Sequence, residues 1–166
     1  MIRPILFILL TVVVQGMFPI LLPRAWGFDG PDLFLLLALI FAARLPMNWG
    51  ILVAFLIGLF QDALGAGLMG LHATALAGAV YLFYGARVWL SQQTPGRETL
   101  CLILALIGQW TVFLFLTYWL RSNLVTVHTL YTVLPSQVGF TLLFTPLMYR
   151  MADWALGRVA TDDRRI

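Results

Sequence analysis

The stretch GLFQDALGAGLMGLHAT, residues 58–74, decides how this chain is read. One apolar run closes at Leu64 and another opens at Leu71. A glycine-bearing turn joins them, with Asp62 just before it and His72 just after. Everything around this stretch is apolar, so the two ionisable side chains need a reason to be there.

Working outward, the whole 166-residue chain is 61% hydrophobic and only 10% charged, with a mean hydropathy of +0.94. A soluble domain of this size cannot bury so much apolar surface, and the composition points to lipid as the solvent. No polar stretch is long enough for a separate soluble domain. The expectation is one integral membrane domain over residues 1–166, with 158–166 as a polar cytoplasmic tail. The net charge of +3 and basic pI would suit nucleic acid, but all ten cations are Arg and stand at the ends of apolar runs. That is a membrane-anchoring pattern, not a basic stripe with interleaved aromatics, and nucleic acid is excluded as a partner. The single Cys101 cannot form an internal disulfide, and no Cys/His spacing suits a metal or cofactor, so none of either is expected.

The apolar runs predict about six transmembrane helices, an all-α polytopic bundle. Residues 5–22 form the first run, read as a retained helix rather than a cleaved signal because no small-residue cleavage site follows. Gln15 and Pro19 stand out within it. Runs 33–43 and 49–64 are each short for a hydrocarbon core about 30 Å thick, and the RLPMN turn separates them. They form either two short or tilted spans or a re-entrant hairpin. The fourth run covers 71–90, and SQQTPGRE at 91–98 is the clearest aqueous loop. The fifth covers 99–120. The sixth covers 131–149, or begins near Thr126, with Pro135 and Pro146 near its ends.

Arginine placement sets the direction. With six spans and the N-terminus inside, Arg3, Arg44, Arg87, Arg97, Arg150, Arg158, Arg164 and Arg165 fall on one side, and Arg24 and Arg121 on the other. The positive-inside rule then puts both termini in the cytoplasm. Trp26, Trp49, Trp89, Trp119 and Trp154 fall near span ends, as interfacial anchors do. Asp29, Asp32, Asp62, His72 and His128 are expected on the outer side.

Asp62 closes a helix, where a carboxylate faces the negative end of the helix dipole at a cost of about 0.3–1 kcal/mol. It therefore needs a partner: a cation, water, or the N–H groups of the next helix start. It either ties the turn together, or serves a recognition or ligand site opening outward, or belongs to a proton relay. Small residues are dense in the same region. Ala54 and Gly58, Ala66 and Gly70, Ala73 and Ala77, and Ala75 and Ala79 are each four apart. Such pairs let helices approach closely in lipid, within the bundle or against a partner's helix. No Gly-rich phosphate loop, HExxH motif or nucleophile–base pair is present, so no enzyme is expected.

The segment GPDLFLLLALIFAARLPMNWGILVAFLIGLFQDALGAGLMGLHATAL, residues 30–76, resembles the rod shape-determining MreD family. That family pairs Pro-Asp with an aliphatic run and a short Arg/Pro turn. A second run then ends in Gly-Leu-x-x-Asp, and a glycine turn leads to Gly-Leu followed by a small residue or His. Here these are Pro31 and Asp32, the turn from Arg44 to Pro46, Gly58 and Leu59 with Asp62, and Gly70, Leu71 and His72. From Ser91 on, only the hydropathy agrees.

The resemblance implies a non-catalytic inner-membrane scaffold of the cell-elongation machinery. It would bind MreC and help couple MreB filaments to RodA and its penicillin-binding transpeptidase, among membrane lipids. It also implies a fold like the S components of energy-coupling-factor transporters, whose vitamin-binding role is the alternative function. The residues expected to carry structure or partner contact are Asp32, Ala54, Gly58, Asp62, Gly70, His72, Ala73 and Ala77.

Overall fold

The computed structural model describes residues 2–21, 30–65, 68–90, 96–119 and 127–157. Among them the chain is all-helical: α1 Ile2–Leu21, α2 Leu33–Ala42, α3 Met47–Leu64, α4 Leu71–Trp89, α5 Arg97–Trp119 and α6 Val127–Leu156. The first five match the apolar runs to within a few residues. The last departs from expectation: α6 runs past Tyr149 to Leu156, so Pro135 and Pro146 lie inside the helix rather than near its ends. Its extra turns remain helical because Arg150 is exposed and Asp153 finds a cation, Arg44, at 3.0 Å. Gly157, at φ +84°, ends it in the left-handed conformation that glycine adopts at no steric cost. Arg24, Asp29, Ala66, Arg121 and the 158–166 tail lie outside the described residues, as does the side chain of His128.

Two helices, α3 and α5, are both long and apolar enough to cross a membrane. By contrast α2 has ten residues, about 15 Å of helix, half a hydrocarbon core. Asp32 starts it, its side chain accepting from Leu35 N. The turn at Arg44 to Pro46 stops it, because proline disfavours helical backbone in the residue before it. Every α2 residue except Phe41 is buried. α2 is the hub, packed against α1, α3, α4 and α6, while α3 packs on α4 and α4 on α5.

Contacts at one end show that the helices alternate in direction. The Arg3 guanidinium lies 5.6 Å from the Trp154 ring, joining the start of α1 to the end of α6. Arg44, between α2 and α3, donates to Asp153 and to Ile40 O at 3.0 Å. Tyr84 near the end of α4 donates its hydroxyl to Ala42 O and Leu45 O, each at 2.8 Å. Arg97 at the start of α5 donates to Arg87 O at 2.7 Å. All five arginines among the described residues, Arg3, Arg44, Arg87, Arg97 and Arg150, gather at this end. The turn from α3 to α4 is at the other.

The faces follow from residue size. α3 buries only Gly50, Ala54, Gly58 and Asp62, one stripe at i, i+4 spacing. Its large side chains, among them Trp49, Phe55, Leu56, Phe60 and Leu64, are exposed. A helix apolar on every face that packs through its smallest residues follows the rule for helices in lipid, where close backbone approach replaces burial of bulk. Trp49, Trp89, Trp119 and Trp154 are exposed near helix ends, and Trp26 lies outside the described residues.

Candidate functional site

The α3–α4 stripe leads directly to Asp62. Gly58 sits against α4: a Cβ there would overlap Ala73 Cα and come within 2.6 Å of His72 O. Gly50, two turns earlier, lies against the Tyr84 ring. In register between these contacts fall buried Ala54 and half-buried Ala77. The small residues thus bring two backbones together, and that closeness lets the short Asp62 side chain reach the start of α4.

The Asp62 side chain is fully buried, and each oxygen accepts twice. Oδ2 takes Gly70 N at 2.8 Å and Ala73 N at 3.2 Å. Oδ1 takes His72 N at 3.1 Å and faces His72 Nδ1 at 2.7 Å. α4 opens on Gly70, whose φ of +94° suits glycine and which has no side chain to cap a helix. Asp62 supplies the cap from the neighbouring helix, holding the N–H groups of the second and third helical residues as a local cap would. The unfavourable position at the end of α3 becomes a favourable one at the positive end of α4. Of the partners open to it, the carboxylate takes the next helix start, and the turn is tied.

A carboxylate only accepts, so His72 Nδ1 carries the proton and donates. The ring is about one-third exposed and rests 5.4 Å from the Phe113 ring of α5. The pair therefore joins three helices. Thr74, the nearest hydroxyl in sequence, donates back to Gly70 O and Leu71 O. Among the described residues no hydroxyl or thiol hydrogen-bonds to His72, and no group of three His, Cys, Asp or Glu could hold a metal.

Asp32 belongs elsewhere, which corrects the expectation that it shares the outer side with Asp62. It is buried against the middle of the neighbouring helices. Its Oδ2 accepts from Gln109 Nε2 at 2.6 Å and Gln137 Nε2 at 3.3 Å, and its own N–H donates to Thr141 Oγ1 at 3.0 Å. Leu33 N donates to Gln15 Oε1 at 2.9 Å. Gln109 stands at the midpoint of α5, Gln137 and Thr141 near that of α6, and Gln15 two-thirds along α1. The physical reason is the length of α2: a ten-residue helix whose C-terminus lies at the arginine end has its N-terminus only about 15 Å away, halfway up the bundle. This second node ties α1, α2, α5 and α6 together. Gln109, Gln137 and Thr141 were not picked out in the sequence. Their signal was the one Gln15 gave, a polar side chain inside an apolar run.

Comparison with protein families, with curated proteins and with solved structures found no match to the chain. The site must be judged by its geometry. The two nodes together include Asp32, Gly58, Asp62, Gly70, His72 and Ala73, while Ala54 and Ala77 line the helix contact that leads to the first. The small-residue face is occupied by α3–α4 packing, so it is not a free surface for a partner helix. What the α3–α4 clamp presents outward is the turn, where Leu64, Leu68 and Met69 are exposed beside the rigidly held His72.

Proposed function

We propose that this chain is a multi-pass inner-membrane scaffold of the MreD type. It is non-catalytic, binds MreC and helps couple MreB filaments to RodA and its transpeptidase in rod-shaped growth. The observation that carries this reading is the Asp62 clamp. The residues that resemble the MreD pattern, Gly58, Asp62, Gly70 and His72, form a single rigid joint. Both carboxylate oxygens are committed to the start of α4, which gives the joint the character of a positioning device. It holds an apolar protrusion, Leu64, Leu68 and Met69, at the end opposite the arginines.

The arginine end, on the positive-inside rule, faces the cytoplasm. The protrusion then faces outward, within reach of the single membrane helix of MreC and the large periplasmic part that follows it. Lipid covers the exposed apolar sides of α1, α3 and α5.

The test is co-expression with MreC, purification in nanodiscs, and quantified stoichiometry. A stable complex is expected, weakened by Met69→Glu or Leu68→Glu while the chain stays folded. A folded chain that forms no complex with MreC would overturn the reading. Stabilisation of that chain by a vitamin would identify it as a carrier S component instead.

A further inference from the structure

The five described arginines share one end of the bundle but not one role. Arg44 pairs with Asp153 at 3.0 Å, Arg87 lies 5.2 Å from the buried Phe83 ring, and Arg97 donates to Arg87 O. All three are half-buried. Arg3 and Arg150 are exposed, and among the described residues no carboxylate pairs with either. These two meet at one place. Arg3 precedes buried Phe7 by one turn of α1, and its guanidinium is 5.6 Å from the Trp154 ring. Arg150 precedes Trp154 by one turn of α6, where residues four apart are neighbours. The acid next to Trp154 in sequence, Asp153, is taken by Arg44.

The helix faces that lead away from this pair are apolar and uncovered. Leu143, Leu147, Arg150 and Trp154 follow at i, i+4, i+7 and i+11, a single stripe of α6, and all four are exposed. The opposite face of α6, at Met148 and Ala152, is the buried one. On α1, which packs against α6, Leu6 and Leu10 are exposed three and seven residues after Arg3. Two unpaired cations thus stand at the head of two leucine-bearing faces.

We propose that Arg3 and Arg150, gathered at Trp154, bind the headgroup phosphate of an anionic phospholipid whose acyl chains lie along the exposed faces of α1 and α6. Charge complementarity selects this occupant. A guanidinium offers phosphate a planar fork of N–H donors, and contact with an aromatic ring leaves that fork available. What covers the leucines must be apolar, and tryptophan is the residue that anchors at headgroup level. One molecule, anionic at its head and apolar along its length, meets both demands. Basic pockets between membrane helices on the cytoplasmic side hold such headgroups, and the anionic lipids of that leaflet supply them. The proposal rests on the reading of the chain as a membrane protein and is independent of MreC.

The experiment is thermal unfolding of the purified full-length chain in detergent micelles carrying increasing fractions of phosphatidylglycerol, with phosphatidylcholine and inorganic phosphate as the comparison arms. A saturable rise in Tm with phosphatidylglycerol alone is expected. Arg150→Gln is expected to raise the half-saturating fraction about fivefold. Arg3→Gln is expected to do the same and is the second variant should Arg150→Gln fail to fold. Arg87→Gln, at an arginine held over Phe83, is expected to leave the response unchanged. An equal response to phosphatidylcholine overturns the proposal, as does a response to inorganic phosphate that matches the lipid. So does an Arg87→Gln loss as large as that of Arg150→Gln, which would show attraction by overall charge. Alkaline carbonate extraction of the membranes separates this proposal from the reading beneath it. A chain released by carbonate overturns both, whereas a retained chain without a phosphatidylglycerol response overturns the lipid site alone.

Discussion

Asp62 concentrates the chemistry of one joint in one side chain. Removing it strips the cap from α4 and leaves buried N–H groups unmet, so Asp62→Ala is expected to destabilise the fold by about 2–4 kcal/mol. Asp62→Asn keeps one acceptor oxygen but turns an NH2 toward other donors, and the expected loss is about 1–3 kcal/mol. Denaturant titration in detergent micelles measures both, and losses below 0.5 kcal/mol, the lower bound for a helix cap, would show that the cap does not hold the turn. Much of this joint was legible in advance. A carboxylate at a helix C-terminus beside a glycine turn needs a donor, and the next helix start was among the few on offer. Asp32 was not legible in the same way. Its partners stand 77, 105 and 109 residues away, and nothing local in a Pro-Asp pair distinguishes a helix cap at a surface from one at the centre of a bundle.

At the scale of elements, helix packing here turns on where glycine is required and where it is merely present. Gly58 has backbone atoms of α4 where a side chain would go, whereas Gly139 of α6 has nothing within 4 Å. Gly58→Ala is therefore expected to force α3 and α4 apart, at about 1–3 kcal/mol and with loss of the Asp62 contacts. Gly139→Ala is expected to be neutral or stabilising by up to about 1 kcal/mol, through helix propensity alone. Thermal unfolding of the two variants side by side tests the contrast, and equal effects would mean that the α3–α4 contact is looser than described. The sequence made the i, i+4 spacing of Ala54 and Gly58 plain, but the spacing is common in apolar helices and does not say whether the face meets a helix of its own chain or of another. The folded chain supplies the answer through the register of Gly58 on Ala73.

For the whole molecule, the decisive feature is its polarity: the five described arginines at one end, the clamp at the other. If the arginine end is cytoplasmic, alkaline phosphatase inserted at the 65–70 turn is expected to be active, and a fluorescent protein fused after α6 is expected to mature. The reverse pattern would invert the molecule and place the apolar turn in the cytoplasm, away from any periplasmic partner. The order of the helices was readable because apolar runs broken by short polar turns are a strong signal, whereas the side that each end faces rests on the fusion experiment. The centrality of α2 was readable only in part. Its uniform apolarity is that of a helix surrounded on all sides, but ten residues look equally like half of a re-entrant hairpin.

The shortness of α2 also has a consequence for how the chain is made. A segment of about 15 Å cannot lodge across a bilayer by itself, so in a chain inserted as proposed it must wait beside α3 for a setting during synthesis. Leu33 can find Gln15 at once, since α1 is already made. Asp32 can meet Gln109 only when α5 emerges, and Gln137 and Thr141 only with α6. The second helix is therefore completed by the last one. Chains truncated before α6 are then expected to be degraded faster as unfinished proteins, and their half-life against that of the full chain, followed by pulse-chase, would show it.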